Sequence, residues 1–436
     1  MKQINLLLFN RILFKVLPYI SKLLSIDLLS RLLIITAHRE KYHHPTNKNK
    51  FNILVINVPG GDLDIYESMK FSNTSYEFIF LPKSIFDIIY KSFRGYIKPD
   101  WAGIEDINKS ENYNIFIEKL FNLLKKKFNL TAIVTFNFIY QSIHPLNNFS
   151  INKNVPVILY YKECFRTPKT FKLIEQKINQ ININYLSKIT LCVQNRDMYD
   201  VLGNIFKKKK IINLVGQARS TSSINYFNIN NEKPKKINNI IFFSISPKAG
   251  FPNFQTEGLT GITDSCRNYI QNIDLSIYNR KIYKILFNFF EENPDLNSFI
   301  IKSKKNLVTF PVDKKVKILS GGPRLDLVSN NSLVIACNST AIIESLIRGA
   351  TCIHFAPYDT NIADSREFFH KFNNTDIIEC NSLSELNVKL NYLFENKDLK
   401  LKKIDRSKLI DRYLFNSDGK AGQRFWKVLS DTCKIN

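Results

Sequence analysis

Apolar residues in this chain follow two rhythms. Short continuous runs end in glycine, proline or polar clusters, and in the stretches between them apolar positions return every three or four residues. The runs at 51–58, 77–81, 131–136, 156–161, 189–193 and 210–216 predict buried parallel strands, and the periods at 112–128 and 170–187 predict helices between them. A second series predicts strands at 240–245, 297–302, 316–320, 332–337 and 350–355, with helices at 279–292, 340–348 and 383–394. From 406 onward the pattern is helical, interrupted by Gly419 and Gly422. Strand and helix alternate, as in parallel α/β layers, and no long internal repeat is visible.

Between the two series lies 225–239 (NYFNINNEKPKKINN), which is polar, contains a proline and lacks an apolar period. It reads as a linker. The expected fold is α/β, with two Rossmann-like domains facing a cleft. The first spans 46–225, a linker covers 226–239, and the second spans 240–404. A C-terminal helix at 405–436, basic and aromatic around Trp426, is expected to cross back onto the first domain. Residues 1–45 read as an amphipathic helical segment running into a polar linker at 38–50. Leu and Ile dominate 4–35, but Asn10, Arg11, Lys15, Lys22, Asp27 and Arg31 interrupt them and Pro18 divides the segment. No apolar run of about 20 residues survives, so a spanning helix is not expected. No small-residue cleavage site follows a compact apolar core, so neither is a signal peptide. A cationic helix lying in a membrane interface and an ordinary helix packed on the first domain both fit.

At 436 residues the chain is long enough for two domains, and 44% hydrophobic with 13% aromatic residues allows sizeable cores. The 62 basic and 38 acidic residues leave a net charge of +24. That balance favours nucleic acid, anionic lipid or phosphate-bearing substrates, although Asn, Lys and Ile are frequent enough to suggest AT-rich codons. No nucleic-acid-binding signature accompanies the charge, and most aromatics fall inside apolar runs, so nucleic acid is not an expected partner. The seven cysteines form no CxxC pair and the six histidines do not cluster with them. Neither a metal site nor a disulfide framework is expected, and free thiols suit a reducing cytoplasm.

The most informative segment is 337–355, CNSTAIIESLIRGATCIHF. It reads as a strand end, a small polar turn, a helix, Gly349 and another strand. Ser339 or Thr340 would cap the helix, and its first backbone N–H groups, aided by the helix dipole, would make an anion site. Glu344, one turn further, is placed to take a ribose or sugar hydroxyl. A capped structural helix is the plain alternative. Lys302, at the end of a strand, can hold a phosphate or ribose, or be a solvated lysine. Lys248, in SISPKAG after the first strand of the second series, and Arg324, after Gly321-Gly322-Pro323, are further phosphate candidates; a plain turn is the alternative for Arg324. In the first half, Pro59-Gly60-Gly61-Asp62-Leu63-Asp64 is not a dinucleotide fingerprint but suits the acceptor side of a cleft. Asp62, Asp64 and Glu163 are candidate carboxylates for deprotonating an acceptor or stabilising an oxocarbenium-like transition state. Each can equally be a loop residue or a cap.

Ser-Thr-Ala, then Glu-Ser-Leu, then a glycine before an apolar strand resembles the donor-nucleotide loop of GT-B glycosyltransferases. The likeness is greatest to capsule and surface-carbohydrate relatives, including CDP-glycerol glycerophosphotransferases and Kdo-type capsule transferases. Asp418-Gly419-Lys420-Ala421 followed by Arg424 is similar to the DGxAxxR ending common in that group. The resemblance covers mainly 240–436. One departure is the strand end Lys302-Ser303-Lys304-Lys305, where such relatives often carry Lys-Pro-His-Pro. The resemblance implies a GT-B-like, metal-independent bacterial transferase without a cofactor. It would use a nucleotide-sugar donor and a glycan or lipid-linked acceptor in surface-polysaccharide synthesis, on the cytoplasmic side of a membrane. Ser339, Thr340 and Glu344 would bind the donor. A UDP-sugar 2-epimerase-like enzyme and a non-catalytic assembly or export factor of the same fold are the alternatives.

Overall fold

The computed structural model describes residues 19, 23–46, 50–94, 111–138, 140–180, 188–206, 212–230, 236–252, 256–303, 307–321, 325–372, 377–395 and 406–434. Among them stand two sheets. The first holds seven strands: β1 His38–Tyr42, β2 Lys50–Asn57, β3 Ser75–Pro82, β4 Ala132–Thr135, β5 Val157–Tyr161, β6 Thr190–Val193 and β7 Ile212–Leu214, in the order β1-β3-β2-β4-β5-β6-β7. The second holds six: β8 Asn239–Phe243, β9 Ser298–Ser303, β10 Val316–Ser320, β11 Ser332–Ala336, β12 Thr351–Phe355 and β13 Ile377–Cys380, in the order β10-β9-β8-β11-β12-β13. Every pairing is parallel except β1 with β3. Both orders are those of doubly wound, Rossmann-like sheets.

The central strands are continuous apolar runs because helices cover both faces. Along β2, Leu54 and Ile56 enter one core while Ile53 and Val55 enter the opposite one. The terminal helix Ala421–Lys434 lies on the latter face. Its Phe425 stacks on Tyr160 at 4.4 Å between ring centres, and Trp426 meets Tyr76 at 5.7 Å. Burying one such side chain stabilises the fold by about 1.5–3 kcal/mol. The last helix of the chain thus completes the core of the first sheet.

Two local expectations are corrected. Where a polar linker was expected at 38–50, β1 forms an antiparallel edge strand. Its alternate residues face solvent, and its Arg39 joins Lys50 around the buried Glu77 carboxylate, so polarity here marks an edge. Helix Thr221–Asn230 runs through the first part of the expected linker. Ile224 is buried and the Thr221 hydroxyl accepts the Gly422 N–H, contacts that no local period reports. The short strand β13 had no sequence signal long enough to separate it from loop. In the N-terminal segment, helix Ile26–Thr36 is capped by Ser25 and buries Leu29 and Leu33 in the same core as helix Glu111–Phe128. The break expected at Pro18, like the rest of 1–18, lies outside the described residues. No helix among the described residues is long and apolar enough to cross a membrane.

Candidate functional site

An open α/β sheet binds ligands beyond the carboxyl ends of its strands, where the strand order reverses. In the second sheet that point lies between β8 and β11, whose following loops are 244–250 and 337–340. In the first sheet it lies between β2 and β4, followed by 58–60 and 136–143. Loops from these carboxyl edges meet. Thr170 Oγ1, beyond β5, donates to the Gly250 carbonyl beyond β8 at 3.4 Å, and the Phe165 ring packs, tilted, against His370, beyond β12, at 4.0 Å between ring centres. Lys169 pairs with Asp364 at 3.2 Å. The two sheets therefore turn their ligand-binding edges toward one another.

The 337–340 turn is built around Asn338, which takes a left-handed φ of 41°. Its amide nitrogen donates to the carbonyls of Ala249 at 3.0 Å and Phe368 at 2.8 Å, and its oxygen accepts the His370 N–H at 3.3 Å. Buried His354 places Nε2 3.2 Å from the same oxygen. Burial pulls the His354 pKa down to about 3, so the ring is neutral. Gly250, at φ 83°, is pressed against the Asn338 side chain, and any Cβ there would collide with it. One asparagine thus ties three loops together. Behind it, Ser339 caps helix Thr340–Ile347, its hydroxyl accepting the Ala341 N–H at 3.3 Å, and Thr340 is half-buried.

The seam is closed by Arg219. Its guanidinium donates to Asp64 Oδ2 at 3.0 Å, on the helix after β2, and to Glu344 Oε1 at 2.7 and 3.0 Å, on the helix after β11. Its backbone N–H donates to Asp64 Oδ1 at 2.9 Å. All three side chains are buried, at 10%, 0% and 3% exposed for Arg219, Asp64 and Glu344. Burial pushes the Asp64 carboxyl pKa above its ordinary value despite Arg219. Burial acts against the Arg219 charge as well, but Glu344 and Asp64 outweigh it and raise that pKa. Tyr160 supports the hub. Its hydroxyl donates to the Gly216 carbonyl at 2.8 Å and accepts the Ala218 N–H at 3.0 Å.

The DGKA ending stands behind the same loop. Arg424 pairs with Asp418 at 2.6 Å and donates to the carbonyls of Val215 and Phe415, both at 2.9 Å. Asn416 donates to the Gln217 carbonyl at 2.9 Å. The segment grips residues 215–217 and so fixes the loop from which Arg219 projects.

The remaining candidates scatter. Glu163, after β5, accepts from Arg166 at 3.2 Å and is about one-third exposed, at 35%. Asp62 is half-buried on the first turn of helix Gly61–Met69. Lys302 is buried and donates to the Gly321 carbonyl at 2.8 Å. Lys248 donates to the carbonyls of Ile270 and Gln271, at the end of helix Asp264–Asn272, where a cation complements the dipole. Arg324 lies outside the described residues. Asp64 and Glu344 are thus brought together through Arg219, whereas Lys248 and Lys302 are spent on backbone carbonyls in this arrangement.

No family model matches the chain, and no curated protein matches it. Among solved structures it is similar to the UDP-GlcNAc 2-epimerase from Neisseria meningitidis bound to UDP-GlcNAc, at 10% identity and a TM-score of 0.48, over 89% of this chain and 100% of that one. It is also similar to the wall teichoic acid polymerase TagF, at 11% identity and 0.48, over 98% of both chains. MurG from Acinetobacter baumannii is similar at 9% and 0.39, over 88% of this chain and 99% of that one.

Sequence reasoning missed Arg219 and gave Asn338 no more than a place in a turn. Arg219 had a faint signal, a lone arginine in GQARST after an apolar run. Asn338 had none beyond its turn, because its four partners are 16–89 residues away.

Proposed function

We propose that the chain is a metal-independent glycosyltransferase, or a related sugar- or polyol-phosphate transferase, of surface-polysaccharide synthesis. The observation that carries this reading is that two doubly wound sheets present their switch points to each other, one bordered by a capped helix start. The nucleotide-activated donor would place its phosphates at Ser339, Thr340 and the first N–H groups of helix Thr340–Ile347. The acceptor would approach from the first sheet. Its hydroxyl oxygen bonds to the anomeric carbon as the bond from that carbon to the donor phosphate breaks, and its proton passes to a carboxylate. Glu163 and Asp62 have accessible faces for that role. Asp64, with both oxygens bound to Arg219, acts as a positioning residue. The lysines and arginines of the basic chain neutralise the released phosphate, and no cofactor takes part.

The test is a thermal-shift screen of CMP-, CDP-, UDP-, GDP- and ADP-linked donors, followed by titration and turnover with and without EDTA. Thr340→Val should weaken donor binding by about tenfold without unfolding the protein. Glu344→Gln removes one of the two carboxylates that compensate buried Arg219, so its donor titration is read beside its own unfolding midpoint. Wild-type affinity and turnover in both variants would remove this helix from the site. Epimerisation of the donor with no acceptor present would replace transfer by the epimerase reading.

The N-terminal segment would bring the enzyme to the cytoplasmic face of an anionic membrane, each basic residue near the surface contributing on the order of 1 kcal/mol. Full-length protein should therefore sediment with phosphatidylglycerol-containing vesicles at low salt and be released at high salt. Failure to bind at low salt refutes this placement.

A further inference from the structure

The first sheet's switch point holds a polar cluster separate from the Arg219 hub. Lys83 opens helix Lys83–Arg94 directly after β3 and is only 9% exposed. Its Nζ donates to Asp87 Oδ2 at 2.6 Å and stands 4.0 Å from the centre of the Tyr140 ring. Ser142, fully buried, donates to Asp87 Oδ1 at 2.6 Å, and its own carbonyl accepts the Tyr113 hydroxyl at 2.6 Å. Tyr140 and Ser142 follow β4, one of the two strands that flank the switch point. Tyr140 packs against the cores on both faces, so it stands across the carboxyl edge of the sheet. The Asp87 side chain keeps 21% of its surface open.

A lysine–aspartate pair drawn into a protein against a ring loses much of its hydration and adds little net stability. Here it is nonetheless oriented from two sides. A carboxylate offers about four acceptor positions, of which Lys83 and Ser142 occupy one on each oxygen. The remainder can accept hydroxyl donors in charge-assisted hydrogen bonds, beside an aromatic edge that offers apolar contact. A carboxylate also disfavours phosphate at the same point, so the ligand it suits is neutral and rich in hydroxyls.

We propose that Asp87, Lys83 and Tyr140 form an acceptor subsite for a neutral pyranose ring. Asp87 receives two ring hydroxyls, Lys83 and Ser142 hold its carboxylate in register, and Tyr140 lies against the sugar. The assignment as acceptor subsite rests on the transferase reading above, and it names the substrate class on the side opposite the donor.

The test uses saturation-transfer NMR with the full-length protein and three probes: methyl β-glucoside, methyl β-galactoside and methyl N-acetyl-β-glucosaminide. Donor titration is run on the same samples. The wild type should bind at least one pyranoside, and Asp87→Ala should weaken that binding by about tenfold or more. Asp87→Asn, which keeps the shape and guards against misfolding in the alanine variant, should weaken it by a smaller factor. Donor affinity should stay within twofold in both. Pyranoside binding unchanged in both variants, or absent from a wild type that binds a donor, overturns the subsite and leaves the transferase reading standing. Pyranoside binding lost in the variants, with no donor bound by the wild type, keeps the sugar site and sinks the transferase reading.

Discussion

Arg219 shows how much one side chain decides in this protein. Its guanidinium contacts carboxylates on the helices following β2 and β11, one beside each sheet. A buried ion pair of this kind contributes little net stability, because desolvating three charges offsets their attraction, but removing one partner is costly. Arg219→Met leaves Asp64 and Glu344 buried, alike in charge and uncompensated. The expected loss is about 3–5 kcal/mol, read as a lower urea midpoint. Adding Asp64→Asn should recover part of it, since burial already favours the protonated form of Asp64. A single variant within about 1 kcal/mol of wild type would show that the hub bears no such load. None of this could be read from GQARST alone, since Asp64 lies 155 residues before Arg219 and Glu344 125 residues after it.

At the scale of elements, legibility followed period and burial. The central strands were found because strands covered on both faces are unbroken apolar runs, and helix Thr340–Ile347 because its cap, period and closing Gly349 coincide. Helices Gly61–Met69 and His144–Asn152 were missed. The first carries Asp64 and Glu67 on its buried side and the second His144, Asn147 and Ser150, so polar residues break the apolar stripe. Strand β1 was missed for the reverse reason: an edge strand with a solvated face is written in polar residues. The DGKA ending was recognised as a motif, but its work is mechanical, holding residues 215–217 through Arg424 and Asn416.

Across the whole molecule, three buried histidines tie stability to pH. Burial lowers the pKa of His144 to about 4 and of His354 to about 3, and that of His370 well below its ordinary value. All three are neutral in the folded chain and take up protons on unfolding in mild acid. Their contribution is complete above the unfolded value near 6.5 and is lost as pH falls toward the folded values. Each should make unfolding free energy fall by about 1.4 kcal/mol per pH unit within that window. Asp64, with its raised pKa, works in the opposite sense, its contribution fading as pH rises through its folded value. Urea unfolding between pH 7.5 and 5 should therefore show steep acid destabilisation, less steep in His144→Gln once its lower starting stability is subtracted. A flat profile over that range would contradict the neutral, buried assignment.

The sequence by itself determined two α/β series, the strands at the heart of each sheet and the capped helix at 340, because those features depend on neighbours within about one or two turns of chain. Tertiary structure alone decided which charged side chains meet one another and which meet backbone carbonyls. Lys248, Lys302 and Arg219 are alike in the sequence, each a cation beside small or polar residues after an apolar run. The first two meet backbone carbonyls; Arg219 meets the carboxylates of Asp64 and Glu344. A charge takes its role from the partner that compensates its desolvation, and here that partner lies on another loop, helix or sheet, at a sequence distance no local pattern records.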